Sequence, residues 1–582
     1  MEKNTAWAIG LSSVVLIGFF FLQTFVMPKN APVNTNSETA PVTSTVTNDS
    51  AGENTASEKA VKKIKAESVS AGGAEENFVV ETNKVKVTFT NRGGDIISYQ
   101  LKDHKDTYTH DFVNLAENIS EKNRAFAIAL GNDKAEIIND VFKSKVIDEN
   151  TISFANEYKV TNKDGSKGTF TLVKTYTFTP DEYLFKLDVL IAPGENFQGI
   201  NIDNSAYTLR TSPSMGPYFN PKNRYDKRQF ISYNGKGKKK IYLATDKESE
   251  YEKSWKWCSM AGTYFEILTY PLSEGTMSDK VVYTTKGDAA DKNNVQAKMT
   301  RKAIEDASET TDTYYIYAGP RNEKDLRIYN VAEKNNWKLE GVRFDDSMDT
   351  SGVLSWIEVI LKFLLENINK VVKNWGVSII ILTALLKFAM FPITAKTAKS
   401  TVKMQEMQPK MQAIQEKYKN NPQKLNEQTM KLYKEIGYNP LSGCLPMIFQ
   451  FVILFAMFNL FKNYFEFRGA SFIPGWIEDL SVGDHIGPTF SKSLPLLGWN
   501  TIRILPVIYL ISQLLFGKIT GNGGTTAGQN AGQMKLMMYG MPLMFFFLFY
   551  DAPSGLLLYW TVSNLIQLAQ QLYINKKIKN RL

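Results

Sequence analysis

The sequence predicts a multi-domain membrane protein: an N-terminal transmembrane anchor, an external all-β domain of antiparallel sandwich type, and a C-terminal bundle of five transmembrane helices with a cytoplasmic helical hairpin. Three observations predict it. Long apolar runs are concentrated after residue 352, period-two alternation fills the region before it, and lysines cluster beside the apolar runs. The average hydropathy of the chain hides this partition, because a polar half and an apolar half cancel.

Residues 1–27 open with an apolar run (AWAIGLSSVVLIGFFFLQTFVM) that reaches across about 30 Å of hydrocarbon. It ends in Phe25-Val26-Met27-Pro28 without a small-x-small cleavage site, so an uncleaved anchor is expected. Residues 28–77 are rich in Ser, Thr, Asn, Ala and Glu. Such a stretch buries too little apolar surface to offset its ordering entropy, and a flexible linker is expected.

Residues 78–350 alternate. Val85, Val87 and Phe89 interleave with Lys84, Lys86 and Thr88, and Phe170, Leu172, Tyr176 and Phe178 interleave with threonines. Strands with one buried and one wet face read this way, and a large antiparallel sandwich follows. Trp255, Trp257, Tyr264 and Phe265 read as core. The stretch has no nucleophile motif or catalytic dyad. His104 and His110 lack neighbours at metal-ligand spacing, and Cys258 and Cys444 sit in different regions, so no metal, cofactor or disulfide framework is expected.

Residues 351–372 place Glu358, Lys362, Glu366 and Lys370 at four-residue spacing against apolar positions. This describes an amphipathic helix in the membrane interface, with packing against the sandwich as the alternative. Residues 373–582 then hold spans at Trp375–Thr394, Leu441–Phe461, Ile502–Lys518, Lys535–Tyr550 and Pro553–Tyr573. The segment 395–440 carries nine lysines against Glu406, Glu416, Glu427 and Glu435, whereas the loop 463–500 is acidic. The positive-inside rule places the lysine-rich segment and both termini in the cytoplasm and the β domain outside. The segment 395–440 reads as a helical hairpin broken at Asn420-Asn421-Pro422. Its Met404, Met407 and Met411 either pack within the hairpin or meet apolar partners. The formal charge of +9 serves topology, and no zinc-finger spacing or arginine-rich arm calls for nucleic acid. The glycine-rich loop 517–532 lacks the ending of a phosphate loop and reads as a connector.

Lys387 is the most informative position. A charge near the bilayer centre costs about 2.5–3.5 kcal/mol, so it either snorkels to the cytoplasmic edge or faces protein and water. Polar side chains on the other spans favour the second reading. Tyr559, Ser563, Gln567 and Gln571 recur every four residues with Asn564 beside them, Thr383 lies one turn from Lys387, and Gln450 sits in another span. Together they predict a hydrated groove around an uncompensated cation. Tyr509, Ser512 and Gln513 add further polar groups. A secondary transporter of small anions could use the same cation, although no internal repeat is evident. An external sugar-modifying enzyme on a membrane anchor would instead need paired carboxylates in a cleft.

The runs NWGVSIIILT (374–383), FPIT (391–394), MQPKMQAI (407–414), NPLSGCLPMIFQ (439–450) and APSGLLLYWTVSN (552–564) resemble the YidC/Oxa membrane protein insertase family, in its Gram-negative branch. NRGGDI (91–96) and KWCSMAGTYF (256–265) are similar to that branch's periplasmic domain, which implies that the all-β region is a periplasmic β-supersandwich. The resemblance implies an insertase and chaperone of the bacterial inner membrane, acting alone or with the Sec translocon and holding no cofactor. Its implied partners are nascent membrane proteins, the ribosome and the lipid bilayer, with no direct contact to nucleic acid. It also implies that Lys387, Thr383, Gln450, Tyr559, Ser563, Asn564 and Gln567 line a client groove. Lysine stands at the groove position where many members carry arginine, which keeps charge but not forked geometry.

Overall fold

A computed structural model describes residues 66–579 apart from 70–72, 108, 163, 220–224, 274, 288–293, 350–351, 436–439, 488–489, 491–498, 500 and 522–538. The expected anchor and most of the expected linker lie outside the described residues. The described residues divide into two compact units, one within 66–348 and the other from Asp349 onward, with Tyr225 grouped with the latter.

The first unit is built from three antiparallel sheets. A ten-stranded sheet runs in the order Glu67–Ser68, Thr151–Thr161, Lys167–Thr177, Leu184–Pro193, Thr310–Pro320, Phe265–Pro271, Trp257–Ala261, Gln229–Tyr233, Lys238–Ile241, with Lys143–Asp148 also paired to Thr151–Thr161. Sheets of five and four strands complete the unit. The alternation is the reason for the layers: Val85, Val87, Phe89, Phe170, Leu172 and Tyr176 are all buried. Phe89 packs on Phe154, Tyr176 and Phe178, joining the four-stranded to the ten-stranded sheet. Phe230 stacks on Tyr283, and Cys258 meets Met299, joining the five-stranded sheet to the same partner. Trp255, Trp257 and Phe265 are buried and Tyr264 is half-buried.

Two features depart from the simple pattern. Glu67–Ser68 pairs with Lys159 and Tyr158, so an edge strand begins inside the expected linker. Edge pairing uses backbone groups alone, which composition cannot reveal. Lys174, at an inward position between Leu172 and Tyr176, is wholly buried. Its Nζ donates to Asp95 Oδ1 (2.5 Å), Phe126 O (3.0 Å) and Gly93 O (3.1 Å), and Arg124 Nε donates to Asp95 Oδ2 (2.9 Å). Burial pushes the Lys174 ammonium below its usual range, and Asp95 opposes this. The NRGGDI run supplies this centre. Gly93 and Gly94 take φ of +68° and +62°, and a Cβ on Gly94 would lie 2.7 Å from Phe154 Cβ. A short helix α1 (Glu323–Arg327), capped by Asn322 Oδ1 accepting from Asp325 N at 2.8 Å, follows the last strand.

The second unit is helical: α2 (Ser355–Val372), α3 (Trp375–Glu406), α4 (Gln408–Lys417), α5 (Pro422–Glu435), α6 (Pro440–Lys462), α7 (Leu505–Gly521), α8 (Met541–Leu548) and α9 (Ser554–Lys579). Helix α2 buries Leu361 and Leu365 against α3 and α6 and exposes Trp356, Val359, Ile360 and Phe363. Its charged stripe lies between these two apolar faces. The first expected span and the start of the expected hairpin form one helix, α3, which passes Pro392 and ends only at Glu406. The good helix formers after Thr394 carry it on, and Pro409 in the first turn of α4 marks the new start. Among the described residues, Trp375–Ala395 is long and apolar enough to cross a membrane, and Phe449–Lys462 and Leu505–Ile519 are shorter apolar helices.

Candidate functional site

The helices that carry the candidate residues are fixed at one end by the loop after α6. At the start of α9, Ser554 N and Gly555 N donate to Val482 O (2.7 Å) and Leu480 O (2.9 Å), and Ser554 Oγ donates to Asp479 O (2.9 Å). These bonds satisfy donors that a helix start leaves open. A Cβ on Gly555 would stand 3.2 Å from Leu480 O, so the close approach suits glycine. Asp484 does the same for α7: its Oδ2 accepts from Ile504 N (2.8 Å), Leu505 N (2.9 Å) and Trp476 Nε1 (2.9 Å). Apolar packing of Ile379, Leu382, Leu454, Met457, Leu556 and Tyr559 holds α3, α6 and α9 side by side.

Lys387 sits where these three helices meet, and only 7% of it is exposed. Its Nζ donates to Gln450 Oε1 of α6 at 2.9 Å and to Gln567 Oε1 of α9 at 3.0 Å. Gln450 Nε2 in turn donates to Ser563 Oγ at 3.4 Å. Two amide carbonyls therefore face the ammonium, and no carboxylate within ion-pair reach of it is found among the described residues. Lysine has three N–H donors, so one remains for a further acceptor. Thr383 and Tyr559, both buried, line the same cavity with Leu386, Met390, Ile453 and Ser563. The Thr383 hydroxyl donates to Ile379 O of its own helix at 2.6 Å and keeps its lone pairs for other donors. Space for the centre of a water-sized sphere is about 10 Å³, the scale of about one water molecule.

The structure thus brings together Lys387, Thr383, Gln450, Tyr559, Ser563 and Gln567. Asn564 stands apart: its Nδ2 donates to Ser512 Oγ of α7 at 3.4 Å, and Gln513 Nε2 reaches Tyr509 OH at 3.3 Å. One helical step turns Asn564 about 100° from Ser563, so α9 carries two polar seams where the sequence suggests one. Gln570 was not singled out by the spacing of four. It is buried, and its Nε2 donates to Lys387 O at 3.2 Å. A step of three after Gln567 returns to the Tyr559 face and is the signal that finds it. Met407 and Met411 are half-buried at the start of α4 and within it, away from the Lys387 cavity, and the side chain of Met404 lies outside the described residues.

Residues 77–365 match the family described as the YidC periplasmic domain, and residues 367–581 match the family described as 60Kd inner membrane protein. The chain is 42% identical to the membrane protein insertase YidC of Treponema denticola, over 100% of both chains. It is 37% identical to the protein of that name from Treponema pallidum over 99% of both, and 30% identical to that of Chlorobaculum parvum, covering 100% of this chain and 95% of the other. A solved galactose mutarotase related enzyme from Lactobacillus acidophilus covers 42% of this chain at 12% identity with a TM-score of 0.26, too slight a likeness to assign that enzyme's fold or chemistry here.

Proposed function

The chain belongs to the YidC family of membrane protein insertases, and we propose that the Lys387 cluster is where it receives the polar flank of an incoming client. It is an inner-membrane protein with a periplasmic domain, it inserts proteins into that membrane, and its work is not enzymatic. Transport of small anions has no support.

The proposed division is an anchor at 1–27, a linker at 28–77, a periplasmic domain at 78–350, an interfacial helix at 351–372 and an insertase bundle at 373–582. In this reading five spans cross the membrane in the bundle, the hairpin 395–440 and both termini are cytoplasmic, and the bundle's outer side chains meet lipid. Val507, Ile511 and Leu515 form an exposed apolar line along α7, and Leu385 and Phe388 are exposed on α3. Water would leave such lines costly, whereas hydrocarbon accepts them.

The observation that carries the client site is an ammonium held by two neutral amide oxygens with one donor left over. An acidic group on a client gains a charge-assisted hydrogen bond there. Displacement of the glutamine carbonyls and widening of the small cavity would admit water and the client's backbone, lowering the cost of moving polar groups through hydrocarbon. The client's apolar part slides past the exposed lines into lipid. The hairpin, with Met404, Met407 and Met411, is proposed to face the ribosome and emerging client, and the Sec translocon is a proposed partner on family resemblance. A photo-reactive residue at Ser563 or Gln450, probed with ribosome-bound nascent chains, is expected to crosslink to the client. Crosslinks confined to lipid, together with normal insertion by a Lys387→Ala, Thr383→Ala double variant, would overturn the site.

A further inference from the structure

Helix α9 meets Lys387 of α3 at two points. Gln567 Oε1 accepts from Lys387 Nζ at 3.0 Å, and Gln570 Nε2 donates to Lys387 O at 3.2 Å. Residues three apart share a helical face, so α9 holds the same residue by its side-chain tip and by its backbone. Three positions on, the Tyr573 ring meets the Phe391 ring, with centroids 6.4 Å apart. Gln570 is only 8% exposed. In a regular helix Lys387 O already accepts from Phe391 N, and its second lone pair takes the Gln570 donor.

Pro392 explains why a second donor matters there. It lies inside α3 and has no N–H, so Phe388 O loses its partner in the helix ladder. The ladder is therefore interrupted one residue after Lys387, and Gln570 ties that turn to a neighbouring helix. Helix α6 meets Lys387 differently. Gln450 Oε1 accepts from the ammonium at 2.9 Å, and Gln450 Nε2 reaches Ser563 Oγ of α9 at 3.4 Å. An acidic group competes for the ammonium and can displace the Gln450 and Gln567 carbonyls. Gln570 does not line the cavity, and its bond ends on a backbone atom rather than on the charge.

We propose that Gln570 is a positioning residue: it keeps the turn bearing Lys387 on α9 while a client enters, so that the cavity opens on its α6 side. This rests on the reading of Lys387 as the client site. Held in this way, the ammonium keeps its place after both glutamine carbonyls have left it. Without the tie, the turn before Pro392 shifts, and the long lysine stem carries the charge towards the edge of the bundle.

The test uses the full chain in proteoliposomes and two clients that differ only in an acidic or a neutral flank. Gln570→Met keeps an unbranched side chain and removes the donor. It is expected to slow the acidic client about fivefold, the loss of one neutral hydrogen bond, and to leave the neutral client near the parent rate. In a Lys387→Met background the same substitution should change neither rate, because its effect passes through the ammonium. A further loss of that size in the double variant, or equal slowing of both clients by Gln570→Met, would overturn the positioning role. Genetically encoded spin labels at Leu385, Phe449 and Leu572, exposed on α3, α6 and α9, test the geometry even if Gln570→Met fails to fold. A ribosome-bound acidic nascent chain should lengthen the distance from Leu385 to Phe449 and leave that from Leu385 to Leu572 unchanged. No change in the first distance, or an equal change in both, would overturn the proposal. Lys387→Met alone separates the two readings. Equal rates for both clients in that variant would strike the client site, whereas a selective loss there with none in Gln570→Met would strike Gln570 alone.

Discussion

Replacing Lys387 by methionine separates charge from fold, because the side chain keeps an unbranched stem as far as Cε and loses the ammonium. Gln450 Oε1 and Gln567 Oε1 lose their donor. At half-buried positions that water can reach, the cost is about 1 kcal/mol each. Against this, on the proposed topology the bundle no longer carries a cation near the bilayer centre, which relieves about 2.5–3.5 kcal/mol. The two effects nearly cancel, so the variant should unfold within a few degrees of the parent. Function should behave otherwise. A charge-assisted hydrogen bond contributes about 1.5–3 kcal/mol, so insertion of a client with an acidic flank should slow about ten- to hundredfold. A client whose flank is neutral should insert at close to the parent rate. Protease protection of both clients in proteoliposomes, with thermal unfolding as the folding control, measures this. Equal loss for both clients in a well-folded variant would refute the electrostatic argument and leave only shape or wetness.

Two further outcomes test the external domain. Lys174→Met leaves Asp95 with Arg124 alone and strips Gly93 O and Phe126 O of their donor; breaking a buried pair of this kind costs about 3–5 kcal/mol, read as a lower unfolding temperature of that domain in the full chain, and an unchanged temperature would dismiss the buried ion centre as a source of stability. Glu182, buried with its Oε1 accepting from Asn336 N at 2.6 Å, has its carboxyl pushed above the usual 4.5, chiefly by burial. The folded state then holds a proton that the unfolded state releases, so this residue's contribution is fully present below pH 4.5 and fades as pH rises through the raised value. Glu182→Gln should flatten that slope in the unfolding temperature, and identical slopes would refute the assignment.

Local rules made much of the architecture legible. Period two named the strands carrying Phe89, Phe170 and Tyr176, because a strand's side chains alternate whatever it packs against. Apolar length named α3, α6, α7 and α9, and the i, i+4 spacing of Tyr559, Ser563 and Gln567 named one polar face before any partner was known. The same rules failed where the outcome depended on a second element. Lys174, a charge that the alternating apolar positions skip over, is buried, because Asp95, nearly eighty positions away, meets it. Asn564 reads as part of the Lys387 face and turns to Ser512, because α7 packs on that flank of α9. Gln570 falls off the spacing of four and still donates to the Lys387 carbonyl.

Lys387 shows the division most clearly. By itself the sequence determined that a cation stands in an apolar helix without a carboxylate nearby in the spans, since hydropathy and composition are properties of one segment. Whether that cation snorkels or turns inward depends on which acceptors other helices bring within 3 Å, a matter of packing between α3, α6 and α9. Only the tertiary structure decided it, by placing the Gln450 and Gln567 carbonyls on the ammonium. Hydrogen bonds act over a few ångströms, and residues 63 and 180 positions apart reach that distance only through the fold.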